Sequence, residues 1–127
     1  MRITALYAGL LALLFVGLSV QVIRRRVSNM VSLGDGGDAE LSRRVRVHGN
    51  FAEYVPLALI LIALSETLGA PALLLHALGL ATLVGRASHA WGLSPANKMQ
   101  AFRTVGMMLT FAALIIGAAT CLVLAVG

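Results

Sequence analysis

The sequence predicts an all-α integral membrane protein, one bundle of four transmembrane helices occupying residues 1–127, and three observations carry that expectation. Of the 127 residues 59% are hydrophobic and 12% charged, more apolar content than a soluble domain of this length can hide in a core. The apolar residues fall into four long runs, each close to the roughly 20 residues that cross a bilayer's hydrocarbon. The basic residues, which give a net charge of +5, sit in short clusters between those runs with no interleaved aromatics. Membrane topology and anionic lipid head groups account for them better than nucleic acid does.

The first run extends from Ile3 to Ile23 with only Thr4, Ser19 and Gln21 as polar interruptions, and predicts a helix over about 3–25. It is too long for a signal-peptide core and ends in Arg24-Arg25-Arg26 instead of a small-residue cleavage site. The connection that follows contains Gly34-Asp35-Gly36-Gly37-Asp38. No strand precedes it, no Gly-Lys-Ser/Thr completes a phosphate loop, and no glutamate stands where a calcium loop needs one. A turn is the use that remains, with Asp38 as the N-cap of the second helix and Glu40 facing its positive end.

The second helix is expected over 39–68, roughly 45 Å, which exceeds the hydrocarbon thickness and leaves its basic first turns at the membrane face. Pro56 should bend it by removing one backbone hydrogen bond. Gly69-Ala70-Pro71 breaks the chain, a third helix is expected over 72–93, Ser94-Pro95-Ala96-Asn97 ends it, and a fourth is expected over 98–126. Basic residues flank the first and third connections and are absent from the second. The positive-inside rule therefore predicts both termini outside and the polar layer near the cytoplasmic face of a bacterial inner membrane, an endoplasmic reticulum membrane being the other host. No targeting sequence is expected.

Within this frame a few polar residues stand out. On the second helix Arg43, Arg46, Asn50, Glu53 and Leu57 share one stripe, since each residue advances by about 100°. An arginine, an amide and a carboxylate near a membrane helix end cost desolvation energy unless they face protein, water or a polar ligand. On the third helix Arg86 shares a stripe with Thr82, His89, Ala90 and Leu93; on the fourth, Arg103 shares one with Met99, Met107 and Thr110. A purely structural reading pairs Arg86 with Glu53 to lock two helices together. Yet Arg46, Arg86 and Arg103 face only that one carboxylate, an excess of positive charge that suits an anionic ligand. His48 lies off the stripe, His76 stands alone near the opposite membrane face, and the histidines share no depth at which haem could be held. No His, Cys or acidic pair has metal-ligand spacing. Cys121, Tyr7, Trp91 and the methionines read as packing and interface anchors.

These blocks resemble the family of membrane-associated proteins in eicosanoid and glutathione metabolism (MAPEG). The matching stretches are Val31-Ser32-Leu33-Gly34-Asp35-Gly36-Gly37, Arg46-Val47-His48-Gly49-Asn50-Phe51-Ala52-Glu53-Tyr54-Val55-Pro56, Gly85-Arg86-Ala87-Ser88-His89-Ala90-Trp91-Gly92, and Arg103-Thr104. The resemblance implies a homotrimer that holds glutathione between neighbouring subunits. It implies Arg46, Asn50 and Glu53 as glutathione ligands, Glu53 receiving the amino group, Arg86 and His89 contacting the tripeptide, and Arg24 or Arg26 meeting a carboxylate. Arg103 and Thr104 would stand beside the sulfur as the catalytic pair. The eicosanoid-making branch has an arginine at the position of Gly49 and a tyrosine near that of Leu93, so the resemblance favours the simpler bacterial glutathione transferases.

The implied chemistry is a transferase or peroxidase acting on lipophilic electrophiles through an arginine-stabilised glutathione thiolate. Two other classes compete with it. A non-catalytic membrane scaffold would use the charged layer only to fix helix register. A small multidrug transporter would need an acid within the membrane, and the first helix has none.

Overall fold

The computed structural model describes residues 1–93 and 100–127. Four helices follow in order: α1 Arg2–Asn29, α2 Ala39–Thr67, α3 Ala72–Gly92 and α4 Gln100–Val126. The Ser94-Pro95-Ala96-Asn97 break and the expected α4 start at Lys98 lie outside the described residues.

α1 runs a turn further than the apolar run predicts, because Val27, Ser28 and Asn29 continue the arginine cluster as helix. Met30 then adopts the left-handed conformation (φ 53°) and closes the helix by donating its N–H to the Val27 carbonyl. In the connection, Gly34, Gly36 and Gly37 all have positive φ, the backbone that favours glycine. Asp38 caps α2 as expected, accepting from the Glu40 N–H at 3.2 Å. It also accepts from Arg25 Nε (2.6 Å) and Asn29 Nδ2 (2.6 Å), tying the end of α1 to the start of α2. The Arg25 guanidinium and the backbone N–H of Glu40 hold the Asp38 carboxyl down at about 2, against its ordinary 3.8. α2 continues without interruption through Pro56.

α1 packs on α2 and α3, and α4 packs on α3 and α2, but α1 and α4 do not meet among the described residues. α1 and α4 therefore occupy opposite corners, and the bundle offers two crevices, one bounded by α1, α2 and α3 and the other by α2, α3 and α4. The α3–α4 interface is the most extensive. Gly85 and Gly106 face one another there, and a Cβ on Gly106 would lie 2.5 Å from the Gly85 carbonyl oxygen. Small residues allow this approach, as at many membrane helix contacts.

Two apolar clusters fill the bundle ends, one of Leu11, Leu18, Val47, Phe51 and Val55, the other of Ile62, Ala70, Leu75, Leu78 and Ala113. The outer surface is just as apolar: Leu13, Leu73 and Leu122 are 70% exposed or more. That inversion fits lipid as solvent. α1, α2 and α4 are each long and apolar enough to cross a membrane. α3, 21 residues long, is the exception to the expected four apolar spans. It carries Arg86 and His89, both turned inward and buried.

At the end opposite the α1–α2 connection, Glu66 of α2 caps α1. Its carboxylate accepts from the Ile3 N–H (3.0 Å), the Thr4 N–H (2.8 Å) and the Thr4 hydroxyl (2.6 Å). α1 has no capping side chain of its own, so this glutamate satisfies donors that its helix leaves orphaned. His76, read as solitary from the sequence, pairs through Nδ1 with the Tyr7 hydroxyl at 3.1 Å.

Candidate functional site

Arg86 is the centre of the polar layer. At 2% exposure it is fully enclosed, and every partner it has is neutral. Nε donates to Thr110 Oγ1 (3.0 Å), Nη1 to Asn50 Oδ1, and Nη2 to the Gly106 carbonyl (3.4 Å) and the Met107 sulfur (3.2 Å). The Tyr54 ring lies 5.5 Å from the guanidinium carbon, close enough for cation–π attraction. The Arg86–Glu53 ion pair of the purely structural reading does not form. Glu53 points outward, 52% exposed, and meets Arg46 Nη1 at 3.4 Å, itself 64% exposed. Arg86 thus links α2, α3 and α4 through hydrogen bonds and the Tyr54 ring, with no ion pair among the described residues.

This arrangement orients Asn50. An arginine can only donate, so the amide oxygen must face Arg86 and the NH2 group must face elsewhere. His89, one turn along α3 from Arg86, is also buried and lies within electrostatic reach of Arg86, Arg103 and Arg46. Arginines from three helices therefore lie within electrostatic reach of one histidine. Among the described residues Arg103 has no carboxylate partner. Its backbone lies against Gly92, where a Cβ would come within 2.7 Å of the Arg103 nitrogen. Thr104 is exposed, and its hydroxyl donates to the Gln100 carbonyl at 3.1 Å. A ligand would have to draw that hydrogen away before Thr104 could donate to it.

The helix-one candidates stand apart. Arg24 is exposed, Arg26 donates to the Gly34 carbonyl at 2.7 Å, and among the described residues α1 makes no contact with α4. Within one chain, Arg46, Asn50, Glu53, Arg86, His89 and Arg103 share a neighbourhood that Arg24 and Arg26 do not enter. Sequence reasoning passed over Tyr54 as an Arg86 partner and gave Thr110 only a place on the Arg103 stripe. That stripe was the available signal, since a threonine on the same face as an arginine in an otherwise apolar helix needs a polar neighbour.

His48, read as lying off the stripe, sits between α1 and α2. It stacks on Phe15 with ring centroids 4.5 Å apart, and its Nε2 meets the Ser19 hydroxyl at 3.0 Å.

A four-helix membrane bundle with a cationic layer gathered at one end defines a multi-pass membrane protein with a polar site among its helices. The model of the MAPEG family matches residues 4–123. The chain is also 39% identical, over 114 residues, to "Inner membrane protein YecN" of Escherichia coli K12, covering 90% of this chain and 86% of that protein. The same protein of E. coli O6:H1 matches equally. The chain belongs to the MAPEG family, and is thus a membrane protein of the glutathione and eicosanoid metabolism family.

Proposed function

We propose that the protein is a glutathione-dependent transferase or peroxidase of the bacterial inner membrane, acting on lipophilic electrophiles. The observation that carries this is that Arg46, Arg86 and Arg103 all lie within electrostatic reach of His89, while among the described residues the carboxylate of Glu53 meets only Arg46, at 3.4 Å. Glutathione has two carboxylates, one ammonium and one thiol, which is the charge complement of such a face.

In this reading Arg46 and the Asn50 NH2 group hold carboxylate or amide oxygens of the tripeptide, and Glu53 receives its ammonium. Arg86 is too enclosed to touch the ligand and acts by holding Asn50. Arg103 stands by the sulfur. A thiol of pKa near 8.5 is only a few per cent ionised at neutral pH, and the thiolate is the nucleophile. A guanidinium lowering that value by about two units would supply roughly 2.7 kcal/mol of differential stabilisation. The thiolate would add to an electrophilic carbon, or would cleave a hydroperoxide O–O bond, giving the alcohol and, with a second glutathione, water and the disulfide. In this reading the protein is a homotrimer with the site at subunit boundaries, and Arg24 or Arg26 comes to it from the neighbouring subunit. The positive-inside rule places that layer near the cytoplasmic face.

The test is glutathione binding to the detergent-purified protein, followed by calorimetry and by the ultraviolet absorbance of a bound thiolate. Wild type should bind with a thiolate signal, and Arg103→Ala should lose the signal and most turnover while keeping most affinity. Absence of binding at millimolar glutathione would leave the charged layer as a register device in a non-catalytic scaffold.

A further inference from the structure

The other crevice, between α1, α2 and α3, holds a cleft of about 520 Å³, a size typical of small-molecule sites. Its lining is divided. Leu14, Leu18, Val47 and Ala87 make an apolar wall, while Arg43, Arg44 and Glu40 make a charged one and Trp91 stands alongside. The sequence placed Arg43 on the stripe of Arg46 and Glu53, but the side chain lines this cleft instead.

The charged wall is unbalanced. Glu40 is answered twice, by Arg43 Nη2 and by Arg44 Nε at 2.7 Å, which leaves one positive charge over. Arg44 is further fixed to α1 by its Nη1 bond to the Gln21 carbonyl at 2.9 Å. Arg43 Nε is shielded from solvent and has no hydrogen-bond partner, alone in this among side-chain polar atoms of the described residues. The Arg43 side chain as a whole is 38% exposed, so its guanidinium is open to an anion entering the cleft. Trp91 is 58% exposed, as indoles at the membrane–water boundary are.

We propose that this cleft binds an anionic lipid, its phosphate or carboxylate against Arg43 and Arg44 and the upper part of one alkyl chain along Leu14, Leu18 and Val47. One excess positive charge suits a singly charged head, and the apolar wall rules out a free inorganic anion as the fitting occupant. Among the described residues no α4 residue lines the cleft, nor do Arg46, Glu53 or Arg103. The site is therefore separate from the glutathione reading and stands whether or not that reading holds.

The chain has a single tryptophan, and it lines the cleft, so its fluorescence reports occupancy. The full chain in phosphatidylcholine nanodiscs would be titrated with phosphatidylglycerol brominated on its chains, with a brominated fatty acid, and with brominated phosphatidylcholine. One of the two anionic probes should quench Trp91 at a several-fold lower mole fraction than the zwitterionic probe, and which one does so identifies the source of the head group. Arg43→Gln should reduce the preference. Ala87→Phe, which fills the cleft and leaves every charge in place, should abolish it, with circular dichroism confirming the fold of both variants. Equal quenching by all three probes in wild type would overturn the proposal. So would an anionic preference that survives Ala87→Phe, since general attraction to a basic surface would then explain it.

Discussion

Gly106 is where the polar layer depends most directly on backbone approach, and Gly106→Ala tests that dependence. The added Cβ would lie 2.5 Å from the Gly85 oxygen, 2.7 Å from the His89 nitrogen and 2.9 Å from the His89 Cβ. Ordinary carbon–oxygen contacts begin near about 3.3 Å, so α3 and α4 must part by roughly 0.8 Å at a point where the two nearest obstacles are backbone. A shift of that size would stretch Arg86 Nε–Thr110, now 3.0 Å, and Arg86 Nη2–Gly106 O, now 3.4 Å, beyond hydrogen-bond range. Overpacking costs about 1–3 kcal/mol and each lost bond to a charged group about 1.5–3. A total of about 3 kcal/mol or more is expected, roughly a hundredfold in the folding equilibrium. Reversible unfolding in mixed micelles with rising SDS, followed by circular dichroism, would read it as a large fall in midpoint. Gly9→Ala, which meets nothing within 4 Å, should leave the midpoint unchanged or raise it slightly. If Gly106→Ala unfolds at the wild-type midpoint, the close α3–α4 approach and the Arg86 network built on it are wrong.

Two further outcomes are expected away from the polar layer. Asp38, held near 2 by Arg25, contributes stability that is fully present above its unfolded value near 3.8 and disappears as pH falls through about 2. The thermal midpoint of wild type should therefore exceed that of Asp38→Asn at pH 5, and the gap should close between pH 4 and 2; a gap that stays constant refutes the Arg25–Asp38 pairing. Glu66→Ala removes the acceptor for the first donors of α1, so hydrogen exchange at the Ile3 and Thr4 amides should quicken several-fold while mid-helix amides stay protected. Unchanged exchange at those two amides would show that α1 does not need the cap.

Three of the four helices were legible because length and polarity suffice for them: a run of about 20 apolar residues has few other uses; α3 was legible as a helix, though it is not among the three long and apolar enough to cross a membrane. The Asp38 cap was legible for a similar reason, since an aspartate following glycines and preceding a periodic run has one local role. The partners of Arg86 were not. Helix periodicity assigns Arg86 and Glu53 to stripes, but it fixes neither the depth of one helix against its neighbour nor the rotation that sends Glu53 outward and Asn50 inward.

By itself, then, the sequence determined an all-α membrane bundle, the breaks after its first two helices, the excess of arginine over carboxylate and the short list of residues from which a site could be built. Only the tertiary structure decided that α1 and α4 stand at opposite corners, so that the arginines divide between two crevices. It also decided that the glycines of α3 and α4 face each other, which draws Arg86 into contact with Thr110 and Gly106. The reason is physical. Local pattern reflects each helix's own solvent and hydrogen bonds, whereas the partner of a buried charge is chosen by where backbones can approach, and that depends on all the helices at once.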